Sequence, residues 1–245
     1  MDKLLNKIDI LKKELEELKE QKKSIKNIDE DFQIKYIYNS NAIEGNTLTL
    51  KETKVVLEGI TISGKTLREH FEVINHAEAV LYIENMVKNK EALSEYTIKS
   101  INNLILKNID NDNAGRYRTQ NVIISGAEYI PTNHILVKEK MEEFISWYQK
   151  CENMHPVLNA AKVHVDFVGI HPFIDGNGRV SRLIMNLELL KSGYQAVNIR
   201  NDKKLGYYEV LDTAHCKSDY SLFYKLTAEY ELARLKEIVK AYKTA

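Results

Sequence analysis

Twelve consecutive residues, His171-Pro-Phe-Ile-Asp175-Gly-Asn177-Gly-Arg179-Val-Ser-Arg182, bring a histidine, a carboxylate, two glycines and two arginines into one short stretch. Pro172 stops the preceding helix, since the residue before a proline is pushed out of the α region, and Asp175-Gly-Asn-Gly turns the chain into a new helix. Free N–H groups at a helix N-terminus carry partial positive charge and bind phosphate. Gly176 and Gly178 let the backbone approach an anion closely. Asp175 is suited to Mg2+, which takes one or two carboxylates together with phosphate oxygens. Asn177 offers neutral donors, and Arg179 and Arg182, three apart on the first turn, can fork onto phosphates. His171 titrates near neutrality and can take a proton from an attacking hydroxyl. A base, a metal carboxylate, an anion cradle and two cationic clamps together suit a nucleoside triphosphate.

Two other patterns compete for attention. Gly59-Ile-Thr-Ile-Ser-Gly64-Lys65-Thr66 matches the G-x4-G-K-[ST] phosphate loop. Such a loop needs a buried strand before it, whereas Lys51 to Gly59 reads as a capped, charged helix, so a helix-to-helix turn is expected; a P-loop-like nucleotide binder is the alternative. The seven histidines include no HExxH pair and no Cys/His cluster with zinc spacing.

The elements that must hold the loop are helical. Only three Pro and ten Gly interrupt 245 residues, and apolar residues recur every three or four positions. Leu4, Ile8, Leu11, Leu15 and Leu18 form an a/d seam: either a coiled-coil arm able to pair two copies or, preferably, a helix laid on the chain's own body. Thr49 with Glu52 forms a capping box for a helix ending near Gly59. Further helices are expected from Thr66, from Ser94, over Leu136–Lys150, Pro156–Gly169, Arg179–Ser192 and Tyr207–His215, and from Ser221 onward. Between Gly115 and Pro131 the β-branched run Asn121-Val-Ile-Ile, the Ser125-Gly126 turn and Tyr129-Ile130 predict one short β-hairpin.

Composition narrows the class. Lys plus Arg number 35 against 35 Asp plus Glu, and 44% of residues are hydrophobic, which excludes a disordered chain and gives no basic footprint for nucleic acid. No secretory leader or membrane span is expected. Cys151 and Cys216 fit a reducing, cytoplasmic setting.

The motif HPFIDGNGRVSR resembles in full the H-P-F-x-[DE]-G-N-G-R-x-x-R signature of the Fic (filamentation induced by cyclic AMP) family, and the similarity extends over roughly Leu67 to Ala228. The resemblance implies a mainly α domain with a β-hairpin flap that transfers AMP from ATP to a Tyr, Thr or Ser hydroxyl of a protein, releasing pyrophosphate. It implies His171 as general base, Asp175 holding Mg2+ (with Mn2+ as an alternative ion), Gly176, Asn177 and Gly178 cradling the α- and β-phosphates, Arg179 on the leaving pyrophosphate and Arg182 on the γ-phosphate. Phe173 would anchor the loop in the core. Upstream, Ser40-Asn-Ala-Ile-Glu44-Gly45 resembles the family's inhibitory motif [ST]-x-x-x-E-[GN], which implies that Glu44 pairs with Arg182 and excludes ATP; in some members the same glutamate assists AMP removal. Tyr207 and Tyr208 resemble an aromatic pair near the adenine, and His215 stands where other members carry a base-contacting Asn. The flap, with its turn at Ile124, Ser125, Gly126 and Ala127, would cover the nucleotide and hold the protein substrate by strand addition. Self-modification is expected too. Residues 1–62 are read as an N-terminal helical region with the seam and the inhibitory helix, and 63–245 as the catalytic domain. Transfer of UMP, phosphate or phosphocholine by the same fold remains the alternative chemistry.

Overall fold

Three of the helix starts obey the same local rule. Thr49, Thr66 and Ser94 each accept a backbone N–H three residues on, while the residue at that position returns a side-chain bond to the cap, so orphan donors are satisfied reciprocally. The computed structural model describes residues 1–21, 26–124, 126–151 and 153–244. Among them run ten α-helices: α1 (Asp2–Gln21), α2 (Lys26–Ile43), α3 (Leu50–Leu57), α4 (Leu67–Lys88), α5 (Glu95–Leu106), α6 (Val137–Lys150), α7 (Pro156–Ile170), α8 (Asn177–Lys191), α9 (Lys204–Lys217) and α10 (Ser221–Thr244). None is long and apolar enough to cross a membrane.

Helices α7 and α8 pair at the centre. On one side Phe167, Val180, Leu183, Ile184 and Leu187 meet Val73, Ile83, Ile98, Ile101 and Ile105 from α4 and α5. On the other, Val157, Ala161, Val165, Met185 and Leu189 meet Phe223, Leu235 and Ile238. A helix buried all round must be apolar nearly all round; the charges of α8 are Arg179 and Arg182 in its first turns and Glu188 and Lys191 at its far end, where the last two pair with each other at 3.2 Å. The expected seam of α1 is consumed within the chain: Leu5, Ile8 and Leu15 are buried against α10, with Leu4, Leu11 and Leu18 packed beside them.

The predicted β-hairpin does not form among the described residues, a correction to the sequence reading. Its turn survives: Ala127 N–H donates to the Ile124 carbonyl at 3.2 Å, with Gly126 at φ +79°. Ser125 lies outside the described residues. The flanking backbone finds side-chain partners in place of a ladder. Arg118 donates to the carbonyls of Gln120, at 2.9 Å, and Thr132. Asn121 Oδ1 accepts the His134 N–H at 2.9 Å. Ile123 is left 92% exposed. The phosphate-loop pattern is likewise a connection from α3 to α4, and Lys65 Nζ donates to the Thr47 carbonyl at 2.7 Å.

Candidate active site

Helix α7 ends at Ile170, and His171 turns into the left-handed region at φ 54°, ψ 57°, a conformation that costs about 1 kcal/mol or more outside glycine. The next residues are pinned from behind. Arg118 Nε donates to the His171 carbonyl at 2.8 Å and its backbone N–H to the Pro172 carbonyl at 2.9 Å. Asn102 Nδ2 donates to the Asp175 carbonyl at 3.0 Å while its Oδ1 accepts the Gly115 N–H. Phe173 is fully buried against Tyr117 and Phe167.

The ring of His171 keeps one nitrogen free to accept a proton. Its Nδ1 lies 3.2 Å from the Val168 carbonyl; a carbonyl only accepts, so Nδ1 carries the proton and Nε2 keeps its lone pair. The titration near neutrality expected from sequence is corrected here: burial pushes the imidazole pKa down to about 4, against the opposing effect of the Val168 bond, and the ring is therefore neutral at physiological pH.

Four residues on, Gly176 takes φ +84° as the N-cap of α8. A Cβ there would meet Asn102 Nδ2 at 3.0 Å and Ile105 Cγ2 at 3.1 Å. Unlike α3, α4 and α5, α8 has no side-chain cap. Its first helical bond is from Val180 N–H to the Gly176 carbonyl, which leaves the N–H groups of Asn177, Gly178 and Arg179 without helical acceptors. The side chain of Asn177 is turned away from that opening: its Oδ1 accepts the Phe173 N–H at 2.9 Å and its Nδ2 donates to the Phe173 carbonyl at 2.8 Å. The side chain expected to donate to a phosphate is therefore used within the loop, and only its backbone N–H faces the opening.

An anion already lies against this turn. A Cβ on Gly178 would stand 2.2 Å from Glu44 Oε1. The same oxygen accepts from Arg182 Nη2 at 2.7 Å. Arg182, 1% exposed in its side chain against 34% for Glu44, also donates from Nε to Ser40 Oγ at 2.9 Å and from Nη2 to the Ser40 carbonyl at 2.8 Å. Burial alone would lower the Arg182 pKa, yet Glu44 holds it above the ordinary value. Arg182 Nη1 and Arg179 Nε are buried without hydrogen-bond partners among the described residues, so both cations keep unused donors at the site.

Asp175 is gripped twice: Arg179 Nη2 reaches Oδ1 at 3.1 Å and Arg68 Nη2 reaches Oδ2 at 2.7 Å. Burial works to raise its carboxyl, but Arg179, the Gly176 N–H and Arg68 outweigh that and keep it below the usual value. No group of three or more His, Cys, Asp or Glu capable of holding a metal occurs among the described residues. A lone carboxylate, 37% exposed, fits Mg2+ that arrives with phosphate oxygens and water better than a resident ion.

The remaining sequence candidates divide. Tyr207 points inward, contrary to its expected place beside the nucleotide: it is buried, its hydroxyl is 2.9 Å from His164 Nε2, and its ring lies against Phe223. Tyr208 is exposed and donates to the Ile43 carbonyl at 3.1 Å, just before Glu44. His215 Nε2 lies 2.9 Å from the Val165 carbonyl, and its ring stacks near Tyr129 at 4.6 Å. Both rings line an open cavity of about 430 Å³ next to Gly169 and Ile170. Ile124, Gly126 and Ala127 form the turn beyond it, whose next residue, Glu128, donates its N–H to Asp212 of α9. Arg68, Glu72, Asn102 and Arg118 were not singled out by sequence.

Fold and site together define a helical domain whose anion-binding helix start sits beside a neutral histidine. Comparison with known proteins agrees. Residues 92–189 match the Fic/DOC family. The protein adenylyltransferase Fic of Nematostella vectensis is 34% identical over 216 residues, 86% of this chain and 50% of that protein. The protein adenylyltransferase fic-1 of Caenorhabditis elegans is 34% identical over 215 residues, 86% of this chain and 42% of that protein. The chain thus spans about half the length, or less, of these relatives. Among solved structures, a Fic-domain signaling protein from Bacteroides thetaiotaomicron superposes with a TM-score of 0.88 at 27% identity, covering 97% of each chain. A C. elegans Fic-1 fragment gives 0.84 at 30% identity, over 99% of this chain and 73% of that one. The chain belongs to the Fic/DOC family.

Proposed function

We propose that this chain is a protein adenylyltransferase, using ATP and Mg2+ to place AMP on a protein hydroxyl, and that Glu44 holds it in a low-activity state. The observation that carries the reading is the Glu44 carboxylate seated between Arg182 Nη2 and the first turn of α8, where a triphosphate would otherwise bind. The names of the relatives point to the same activity.

On this reading the neutral Nε2 of His171 accepts the proton of the attacking hydroxyl as its oxygen bonds to the α-phosphorus. The bond to pyrophosphate breaks. The free N–H groups of Gly178 and its neighbours hold phosphate oxygens, Arg179 faces the leaving pyrophosphate, and Arg182 takes the terminal phosphate through Nη1 and the donor released by Glu44. Such a site works mainly by positioning and by fixed positive charge where negative charge gathers. Asp175 would hold Mg2+, which supplies further neutralisation of the polyphosphate. The protein substrate would lie along residues 119–124 and 126–133, and a cytoplasmic setting suits ATP as donor.

The test is Glu44→Gly with ATP labelled in the α- or γ-phosphate. AMP transfer predicts α-label retained on protein, including the enzyme itself, at a rate well above the unaltered chain. Retained γ-label would make it a kinase, and absence of both a nucleotide-binding module. His171→Ala in the same background should abolish labelling and leave nucleotide affinity within about threefold, since a base serves the step and not the cradle.

A further inference from the structure

The ion pairs around Asp175 close into a ring. Glu72 Oε1 accepts from Arg68 Nε at 3.1 Å, Arg68 Nη2 donates to Asp175 Oδ2 at 2.7 Å, Asp175 Oδ1 accepts from Arg179 Nη2 at 3.1 Å, and Arg179 Nη1 stands 3.8 Å from Glu72 Oε1. Two carboxylates and two guanidiniums alternate, so the ring is neutral as it stands. Its members differ in freedom: the Arg179 side chain is 2% exposed and Glu72 13%, whereas Arg68 is 56% exposed. Glu72 is fixed in turn by Asn46 Nδ2 at 2.8 Å, two residues beyond Glu44.

We propose that Arg68 is a built-in cation of the Asp175 carboxylate, occupying the oxygen a divalent ion would take, and that it sets the metal concentration the site requires. The proposal rests on the reading that Asp175 serves a metal. Oδ1 already accepts two donors, the Gly176 N–H and Arg179. Oδ2 has Arg68 alone. A dication approaching Oδ2 meets a like charge one contact away, so metal entry and departure of Arg68 form a single exchange. The exchange is open to Arg68 because its head reaches water directly, while Glu72 still holds Nε. Arg179 cannot make the same move without leaving a charge stranded in the interior.

The test adds Arg68→Gln to a Glu44→Ala parent and measures Mn2+ binding by electron paramagnetic resonance with a non-hydrolysable ATP analogue present. Removing one positive charge at contact distance from a dication predicts Mn2+ affinity about tenfold tighter than in the parent. Arg68→Lys, which keeps the charge, stays within about threefold of it, and Asp175→Asn erases the difference between parent and variant. Unchanged or weaker Mn2+ binding in Arg68→Gln overturns the proposal, because an arginine that merely orients Asp175 would weaken metal on removal. So does a fall of more than about threefold in analogue affinity in EDTA, which would make Arg68 a phosphate contact. A parent that binds neither Mn2+ nor the analogue overturns the proposed function with it; a parent that binds both, with the variant unchanged, overturns this proposal alone.

Discussion

Replacing Glu44 by alanine should move two measurements in opposite directions. Glu44 is the only carboxylate within ion-pair distance of Arg182 among the described residues. Its removal leaves a buried guanidinium without a carboxylate among the described residues, held by Ser40 through Oγ and the carbonyl and by the nearby Tyr207. Breaking a fully buried pair from one side costs about 3–5 kcal/mol. Glu44 is 34% exposed, so water replaces part of what is lost and about 1–3 kcal/mol is the reasonable figure. For a domain of this size that lowers Tm by about 2–12 °C. The nucleotide, in contrast, no longer has to break the pair, and by linkage the same free energy returns as about 5- to 150-fold tighter binding of an ATP analogue. Calorimetric melting and isothermal titration on one preparation provide both numbers. Glu44→Gln keeps the hydrogen bond without the charge and should fall between parent and alanine variant in both. If Glu44→Ala melts at the parental temperature, or binds the analogue no tighter, the competition between carboxylate and phosphate for Arg182 is not what the geometry suggests.

Three further outcomes follow from particular contacts. Gly178→Ala should destabilise the unaltered chain, since the new Cβ would strike Glu44 Oε1 at 2.2 Å, yet be near neutral, within about 0.5 kcal/mol, in Glu44→Ala, where helix propensity is set against a close contact of 3.2 Å with Arg182 Nη1; equal costs in both backgrounds would remove the carboxylate from that spot. With the His171 pKa held near 4 by burial, the base is already neutral above it, so kcat/KM of the Glu44→Ala protein should stay flat from about pH 5.5 to 7.5; a limb falling tenfold per unit below about 6.5 would indicate an unperturbed histidine. Ile8→Ala, at a fully buried position of α1 against α10, should cost about 2–4 kcal/mol in urea unfolding; a cost under about 0.5 would mean that α1 does not dock there.

The helices were legible because their ends are local chemistry. Thr49, Thr66 and Ser94 cap within three residues, and Gly193, at φ +77° just beyond α8, marks a stop that its own backbone requires. The hairpin was misread for the converse reason: β-branched residues such as Val122 and Ile123 favour a strand only if a partner strand exists to pair with, and here Arg118 and Asn121 satisfy the neighbouring backbone instead. At the site, the order of residues around His171 and Asp175 showed the chemistry, but not which way each side chain turns. Asn177 and Tyr207 face inward because Phe173 and His164 offer buried partners. Arg68 was invisible, being one exposed arginine on a helix 107 positions from the carboxylate it holds.

Because α8 is clamped between two apolar clusters, the loop 171–176 and both arginines belong to the stationary frame of the molecule. Glu44 hangs from a short turn at its edge, after the last residue of α2. On the proposed reading, the part that decides whether ATP enters is therefore separable from the part that would carry out the transfer. If Glu44 does gate ATP as proposed, changes confined to positions 44–47 would reset the threshold for the nucleotide while the transfer step stays the same, and a ligand or partner that tugs on this one turn need not disturb the core to be felt at the first turn of α8.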